Sequence, residues 1–303
     1  MTPRTAVVIV NYGAVGILEA NAVRVVAPGD GFVIVVDCFS STQERERVEE
    51  ACARHGWIPV LLSENAGFGG GTNAGATVAV QRGAEVIVGL NPDASIDSES
   101  LATLAAAAFE DPLALVTPTI VDGTGSVWFR GSDLYLDDGS IAGVSRRAER
   151  AGRPRHEWST GACFAVSGRL WELLGGFDED YFLYWEDVDL SRRVLDLGGS
   201  LRTLAVTAVH DEGQTHPDAV RGRAKSETYY YHNIRNRLLY AVKHGDGEMV
   251  ERWWRATPRV SWQIVLQGGR AQLRSIAPWR ALARGMRDGR RAVVDARSRR
   301  QSR

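Results

Sequence analysis

Residues 5–11 read Thr-Ala-Val-Val-Ile-Val-Asn, an uninterrupted apolar run, rich in β-branched side chains, that ends on a polar residue. Such a run is typical of a strand buried on both faces of a parallel sheet. Similar short runs follow at residues 31–37, 57–62 and 85–90. Helix-like stretches occupy residues 42–55, 70–82 and 98–109. Alternating strands and helices predict an α/β fold whose doubly wound, mostly parallel sheet carries helices on both faces.

Ligands bind beyond the carboxyl ends of the strands in such sheets. Polar or glycine-rich residues follow the four apolar runs at Asn11-Tyr12-Gly13, Asp37-Cys38, Asn65 to Gly71 and Asn91-Pro92-Asp93. We therefore expect a ligand site at this edge.

Glycine-rich turns after about residue 110 predict hairpins or an acceptor-side loop. Regular patterns return as strands at 160–166 and 204–210 and helices at 168–174 and 187–197. Pro258, Gly268-Gly269 and Pro278 interrupt the last fifty residues, which predicts short helices there. We expect a domain over 1–240, in two halves over 1–110 and 111–240, and a helical extension over 241–303.

The composition suits a soluble enzyme, because 44% of the 303 residues are hydrophobic and can form a large core. Cys38, Cys52 and Cys163 are far apart and odd in number, so we expect a reducing compartment rather than disulfides or a metal knuckle. No secretory leader pattern and no run of eighteen apolar residues is present, which predicts a cytoplasmic protein.

The glycine stretch at residues 65–75 reads Asn-Ala-Gly-Phe-Gly-Gly-Gly-Thr-Asn-Ala-Gly. Glycines permit close approach of a ligand, and a helix N-terminus favours a diphosphate. A tight connection between strand and helix is the alternative. A dinucleotide-binding loop matches poorly, since the stretch follows the third strand and contains no phosphate-binding lysine.

Two carboxylates end strands at the same edge. Asp37 suits a base or ribose contact, or else a helix N-cap. Asp93, after Asn91 and Pro92, suits a divalent cation that bridges two phosphates, or else an ordinary turn.

A third cluster joins aromatic and acidic side chains. Tyr181, Tyr184 and Trp185 lead into Glu186 and Asp187 at the rim of a predicted helix. Aromatic faces beside a carboxylate suit a sugar site with a general base. Acids in a first turn also stabilise the helix dipole, which accounts well for Asp189.

In this order the stretches resemble glycosyltransferase family 2, inverting enzymes with the GT-A fold, and in particular its bacterial rhamnosyltransferase-type branch. The resemblance covers roughly residues 5–240. It includes Ala-Val-His at 208–210 and His-Asn-Ile-Arg-Asn-Arg at 232–237. Residues 37–40 read Asp-Cys-Phe-Ser where the family has Asp-Asn-x-Ser, so Cys38 replaces an Asn, and Asn91 replaces the first Asp of its metal motif.

The resemblance implies a donor half over 1–110 and an acceptor half over 111–240. It implies that Asp37 contacts the donor base, that Asp93 holds Mn²⁺ or Mg²⁺ and that Asp187 is the base. It makes His210 a further ligand of the metal or of the diphosphate, with a structural histidine as the alternative. Arg235 and Arg237 either face the diphosphate or are solvated or helix-capping. The remaining predicted residues are Asn11, Asn65, Gly67, Phe68, Gly69, Asn73 and Asn91 for the donor, Gly161, Tyr184 and Trp185 for the acceptor, and Glu186 beside the base.

The expected reaction is direct displacement from a nucleoside diphosphate sugar to an acceptor hydroxyl on a small-molecule or lipid-linked glycan. A dTDP-deoxysugar such as dTDP-rhamnose ranks first, with UDP-hexose and UDP-galactofuranose as alternatives. A sugar nucleotidyltransferase lacks support, because no Arg or Lys follows Asn11 in its glycine loop. A non-catalytic glycan-binding relative is disfavoured by intact Asp93 and Asp187.

The tail is strongly basic: residues 251–303 hold 14 Arg and 3 acids, which is +11, while residues 1–250 carry -12. Four tryptophans lie among these arginines, at 253, 254, 262 and 279. The pattern predicts either peripheral contact with the inner face of an anionic membrane or packing on the acidic body, as a cap or across a homodimer. No nucleic acid is expected, since the family resemblance accounts for the body.

Overall fold

A computed structural model describes residues 2–210 and 225–301. Its contacts divide these residues into two units. The sheet unit comprises residues 2–132, 157–182 and 186–210, and the helix unit comprises residues 133–156, 183–185 and 225–301. Neither unit is one continuous segment.

The strands of the described residues are β1 (Thr5–Asn11), β2 (Phe32–Asp37), β3 (Ile58–Leu61), β4 (Val86–Leu90), β5 (Ala94–Ile96), β6 (Ala114–Val121), β7 (Val127–Phe129), β8 (Ser132–Tyr135), β9 (Ile141–Gly143), β10 (Arg155–Trp158), β11 (Cys163–Ser167) and β12 (Ser200–His210). The α-helices are α1 (Val15–Ala22), α2 (Thr42–His55), α3 (Gly67–Gln81), α4 (Ser98–Glu110), α5 (Gly168–Leu174), α6 (Glu186–Asp196), α7 (Glu227–His244), α8 (Gly247–Leu266) and α9 (Ala277–Gln301). Helix α7 continues through residue 240, where the extension was predicted to begin.

The large sheet has the order β3-β2-β1-β4-β11-β6-β12-β5, with β7 beside β6. Strands β3, β2, β1 and β4 are parallel to their neighbours. Strand β11 runs antiparallel to β4, and β12 runs parallel to β6. A smaller sheet has the order β10-β8-β9. The predicted α/β sheet with helices on both faces is confirmed, and C-terminal helices are present.

The apolar runs are continuous because both faces of the sheet are buried. Val7 and Ile9 of β1 belong to a cluster with residues of α1, α2 and α4. The alternate residues Ala6 and Val8 belong to a second cluster with residues of α3, α5 and α6. The period of two along a strand distributes successive side chains between these clusters.

Two regions differ from the predictions. The turn-rich interpretation after residue 110 missed β6, which contains Pro118 and pairs with β12 next to a shift in register between Leu204 and Thr207. Proline lacks the N–H of a regular ladder, so its presence hides the strand in the sequence. Short C-terminal helices were also expected, but α8 spans 20 residues and α9 spans 25. Pro258 is exposed within α8, where water can reach the carbonyl that a proline leaves unbonded.

Across the residues that the structure describes, every helix is too short or too polar to cross a membrane.

Candidate active site at the strand ends

The ends of β1 and β2 carry two unsatisfied polar atoms. Asn11 and Asp37 are register partners and both are fully buried. The Asn11 side-chain oxygen accepts a hydrogen bond from the Ala14 N–H at 3.3 Å, and Arg45 Nε donates to Asp37 Oδ2 at 2.9 Å. Within the described residues, Asn11 Nδ2 and Asp37 Oδ1 have no hydrogen-bond partner. One donor and one acceptor therefore remain to be satisfied at adjacent positions.

Asp93 and His210 meet beyond the end of β4. Strand β5 begins directly after Asp93 and pairs antiparallel with the end of β12, with Ala94 opposite His210. This pairing places His210 Nε2 at 3.0 Å from Asp93 Oδ1, and Asn91 Nδ2 lies 3.4 Å from the same nitrogen. Both Asp93 and His210 are buried.

This pair fits part of a divalent metal site. An imidazole nitrogen and a carboxylate oxygen are both suitable ligands, and adjacent ligands about 2.1 Å from an octahedral ion lie roughly 3 Å apart. The 3.0 Å between His210 Nε2 and Asp93 Oδ1 agrees with that spacing. No cluster of three or more His, Cys, Asp or Glu side chains in the described part of the chain could enclose an ion. Other ligands would have to come from the substrate and from water.

The glycine stretch is used mainly for packing. Helix α3 begins at Gly67, whose N–H donates to Asn65 Oδ1 at 2.9 Å, and the next N–H, of Phe68, donates to the Phe182 carbonyl at 2.9 Å. Gly67 has φ +73°, and a Cβ there would overlap the Phe182 carbonyl oxygen. A Cβ at Gly75 would overlap Val8 of β1. These contacts favour the tight-connection alternative, since the chain itself uses two of the N–H groups assigned to a diphosphate.

Asn73 does not fit the predicted donor contact. Its Nδ2 donates to the Phe177 carbonyl at 2.9 Å, and its Oδ1 accepts from the Phe177 N–H at 2.8 Å. A Cβ at Gly69 would lie 3.1 Å from the Phe177 Cβ. Asn73 therefore holds the segment around Phe177 against α3, and we withdraw its assignment to the donor.

Of the two carboxylates at the start of α6, Glu186 is buried and Asp187 is half-buried, and no basic side chain among residues 2–210 and 225–301 forms an ion pair with either. Asp187 Oδ2 accepts from the Gly161 N–H at 3.1 Å, and Oδ1 accepts from the Val188 N–H at 2.8 Å. Glu186 is 6% exposed, and its Oε2 has no hydrogen-bond partner in the described residues. By contrast Asp189 is paired with Arg193 at 2.7 Å, in keeping with a structural role.

Burial sets the protonation of this pair. It raises the pKa of Asp187 to about 6, although the N–H groups of Gly161 and Val188 oppose the increase. Burial and then the charge of Asp187 raise the pKa of Glu186 well above its ordinary value. Asp187 is consequently the member that ionises first as the pH rises.

The backbone that leads into α6 is strained. Phe182, Tyr184 and Trp185 have φ values of 64°, 62° and 76°. Bulky residues in this left-handed region cost about 1–3 kcal/mol each and persist only where surrounding contacts enforce them. The strain lies directly before Glu186 and Asp187, which marks this turn as one that packing must hold in place.

Trp185 is not available as a sugar platform. It is 3% exposed, and its ring packs within the helix unit at 5.7 Å from Tyr240 and 6.3 Å from Trp253. Tyr184 contacts Tyr229 edge to face at 5.2 Å and is partly exposed. The assignment of Trp185 to the acceptor is wrong, because its ring belongs to the core of the helix unit.

Arg237 is likewise structural. It is 1% exposed, and its guanidinium donates to the Asp138 carbonyl at 2.9 Å, to Thr257 Oγ1 at 3.1 Å and to the Trp253 carbonyl at 3.0 Å. A guanidinium with these partners does not face a diphosphate, so that prediction is corrected. Arg235 is partly exposed, and its assignment stays a prediction.

Two further tryptophans were not predicted, and one of them, Trp128, lies beside His210. Trp128 of β7 is 39% exposed, and its ring centre lies 4.9 Å from that of His210. Trp158 packs at 5.4 Å from Phe129, and its Nε1 has no partner in the part of the chain described. Neither lies in a recognisable motif, so only the fold brings them to the strand ends.

Comparison with known proteins supports the predicted class. No protein-family model matches the chain. It is 29% identical over 227 residues, 66% of this chain and 70% of the relative, to N-acetylglucosaminyl-diphospho-decaprenol L-rhamnosyltransferase of Mycobacterium tuberculosis.

Two solved structures share the fold. GalNAc-T7 with UDP, GalNAc and Mn²⁺ matches with TM-score 0.55 and 15% identity over 85% of this chain. This chain spans only 55% of the length of that protein. The mannosyltransferase PcManGT from Pyrobaculum calidifontis, in complex with GDP-Man and Mn²⁺, matches with TM-score 0.55 and 16% identity over 98% of this chain and 87% of its own. The chain has the GT-A fold and is a glycosyltransferase. Its sequence is similar to that of a rhamnosyltransferase.

Proposed function

We propose that this chain is an inverting glycosyltransferase that moves a sugar from a nucleoside diphosphate to an acceptor hydroxyl by direct displacement. The observation that carries the proposal is Asp187, a half-buried carboxylate that two backbone N–H groups hold in place and whose pKa desolvation raises to about 6. A base with such a pKa is ionised at neutral pH and accepts a proton more readily than an ordinary aspartate. The N–H groups of Gly161 and Val188 orient it, and each oxygen keeps a second lone pair for the hydroxyl.

The donor base is suggested by Asn11 and Asp37. An unpaired amide N–H beside an unpaired carboxylate oxygen complements a carbonyl next to a ring N–H, which thymine, uracil and guanine present. Cytosine and adenine present the opposite arrangement. A site strongly rejects a base that leaves its buried polar atoms without hydrogen-bond partners, because the lost hydrogen bonds are not replaced. Thymidine, uridine and guanosine diphosphates therefore fit, and cytidine and adenosine diphosphates do not.

Among these donors we place dTDP-rhamnose first, because the sequence relative is named a rhamnosyltransferase. UDP-hexose and UDP-galactofuranose remain alternatives. The name of that relative also contains a diphospho-decaprenol, which favours a lipid-linked glycan over a small-molecule acceptor.

Asp93 and His210 would hold Mn²⁺ or Mg²⁺, with Asn91 beside the imidazole. When bound, such an ion stabilises negative charge on the departing diphosphate as a Lewis acid. The chain itself contributes the orientation of this pair, because the pairing of β5 with β12 fixes where both side chains lie.

Trp128 is the exposed aromatic surface nearest to this pair and suits stacking against a sugar ring. Its ring rests on His210, which fixes its orientation. We assign it to the acceptor side in place of Trp185.

A thermal-shift panel tests the proposal. UDP, dTDP, GDP, CDP and ADP are each added with Mn²⁺ or with EDTA to the native chain and to Asp93→Asn. A nucleotide at a hundred times its Kd stabilises a folded protein by about 2.7 kcal/mol. We expect a rise in Tm with UDP, dTDP or GDP, and loss of its Mn²⁺-dependent part in Asp93→Asn.

Release of nucleoside diphosphate from the matching sugar donor then separates an enzyme from a binding protein. A Tm that responds equally to all five nucleotides, or to none, contradicts the assigned base site. Binding without turnover contradicts the assigned reaction.

A further inference from the structure

The basic tail is not uniform, since its first part is core. Trp253 is fully buried, stacks on Tyr240 at 5.9 Å and donates its indole N–H to the Leu136 carbonyl at 2.9 Å. Tyr230 and Ile234 of α7 pack with Val265 of α8 and Ala281 of α9. These contacts bind the three helices into the helix unit. The segment that joins α8 to α9 differs from this core in the exposure of its side chains.

That segment exposes a set of apolar side chains. Trp262 near the end of α8 and Trp279 at the start of α9 stack at 5.6 Å and are 37% and 44% exposed. Ile276, three residues before Trp279, is 77% exposed. Residues 262–280 are called the hairpin tip below. An exposed patch of this kind, on a chain whose other large apolar residues are mostly buried, indicates a binding surface.

The charge around the patch has one sign. Residues 252–287 contain 8 Arg and no Asp, Glu or Lys. Arg259 and Arg280 are paired with Asp138 and Glu227 of the helix unit. Arg270 and Arg274 are exposed, and no acidic side chain among residues 2–210 and 225–301 forms an ion pair with them. The hairpin tip thus presents two uncompensated cations beside its apolar side chains.

We propose that the hairpin tip is a docking surface for an anionic lipid bilayer. Tryptophan favours the interface between headgroups and acyl chains, and each arginine near an anionic surface adds attraction. The Trp262 and Trp279 rings cover one another, and the Trp279 indole N–H is already donated to the Leu273 carbonyl at 3.0 Å. Of its large apolar side chains, the hairpin tip therefore exposes the edges of the two indole rings and the side chain of Ile276. Such groups suit shallow insertion into a bilayer better than stacking with nucleic-acid bases.

The test is co-sedimentation of the full chain with vesicles of phosphatidylcholine alone or with one quarter phosphatidylglycerol, at low and high salt. We expect binding only to the phosphatidylglycerol vesicles, weakened by salt. Ile276→Glu and the double variant Arg270→Glu/Arg274→Glu should each lower the partition coefficient at least tenfold. Matched controls are Val26→Glu, at a site 62% exposed, and Arg24→Glu/Arg82→Glu, at exposed sites of the sheet unit.

Equal sedimentation with both vesicle types, or equal losses in the tip variants and their controls, overturns the proposal. Light scattering covers the main alternative: if Ile276→Glu converts a dimer to a monomer and vesicles bind nothing, the tip joins two copies and the proposal fails. The exposed arginine pair keeps the test valid should Ile276→Glu lower the Tm. The outcome is independent of the proposed transferase reaction, which nucleotide binding and turnover test separately.

Discussion

Two groups of buried charges, one in each unit, have opposite environments. In the helix unit, Arg237 remains charged at neutral pH although burial lowers its pKa to about 9, and its guanidinium reaches two carbonyls and a hydroxyl. Burial acts to raise the pKa of Asp138, but hydrogen bonds from Ser140 and the charges of Arg259 and Arg153 outweigh it and lower the value to about 2. In the sheet unit, the buried Glu186 and the half-buried Asp187 are adjacent, and desolvation raises both pKa values.

Compensated charges hold a fold. Two acids with raised pKa values, with which no basic side chain in the described part of the chain pairs, are instead candidates for proton transfer. This contrast separates Arg237 from Asp187 where sequence motifs placed both in one site. Substitutions at Asp187 and Arg237 test this contrast directly.

The largest effect is expected at Asp187. Asp187→Asn should lower turnover by about two to four orders of magnitude, because the base is lost while Gly161 and the donor site stay in place. Initial rates and thermal shift with the preferred nucleotide measure the two properties. Glu186→Gln is the control, since glutamine is isosteric with the glutamate, whose pKa burial and the charge of Asp187 raise. Near-normal turnover in Asp187→Asn together with loss in Glu186→Gln would reverse the assignment of the base.

At Arg237 the expected loss is in stability rather than chemistry. Arg237→Met should lower the free energy of unfolding by about 2–4 kcal/mol, because buried carbonyls lose their donors. Arg252→Met is the matched control: it lies on α8, is exposed, and has only a 3.6 Å ion pair with Glu248, so the change should stay within about 1 kcal/mol. Urea denaturation measures both. An unchanged unfolding midpoint together with impaired donor binding would return Arg237 to the diphosphate.

The pH profile should reflect the raised pKa of Asp187. Turnover should fall about tenfold per pH unit below about 6, as protonation removes the base. The stability contribution has the opposite sign: a folded-state pKa above the unfolded value favours folding at low pH, and that gain is lost as the pH rises through about 6. Across pH 4.5–8, turnover should therefore rise while the stability that Asp187 contributes, measured as the difference in Tm between the native chain and Asp187→Asn, falls. The difference is needed because burial lowers the pKa of His232 to about 4, which makes the total stability rise with pH in both proteins. Any residual turnover of Asp187→Asn should not show the decrease below about pH 6, because this variant has no carboxylate at position 187 to protonate.

The smallest effect is expected at Trp128. Trp128→Ala should raise the acceptor KM by roughly tenfold or less, the worth of one aromatic contact, with little change in the donor KM. Trp128→Phe should restore part of the affinity, because a stacking surface is retained. Equal changes in the acceptor KM and the donor KM would show that the substitution displaces His210, and would contradict a direct contact between Trp128 and the acceptor.

Much of the fold could be predicted because the strands that form its centre are local apolar runs. Helix α1 could not, since its first N–H is accepted by Glu44 from α2 at 2.6 Å rather than by a neighbouring cap. Strand β6 is hidden by Pro118 and by the irregular register of β12. These elements depend on partners distant in sequence.

For the site, the roles assigned to the carboxylates stay predictions, whereas the structure contradicts the assignment of Trp185 to the acceptor. Trp185 is adjacent to Glu186 in sequence, yet its partners Tyr240 and Trp253 take its side chain into the helix unit. Trp128 lies 82 positions before His210 in the chain, and strand pairing alone brings the rings together. Side-chain direction, which sequence order does not encode, decides between them.

Residues 183–185 have a consequence for protein engineering and for the evolution of this chain. They belong to the helix unit, while Phe182 before them and Glu186 after them belong to the sheet unit. A chimera that exchanges residues 225–301 between relatives would therefore leave Trp185 without matching partners, one residue before the acidic pair. Recombination should succeed only if the donor sequence brings its own versions of residues 133–156 and 183–185. The helices at the C-terminus are then inherited together with the turn that precedes Glu186 and Asp187, so the sequences of this turn and of the tail should diversify jointly.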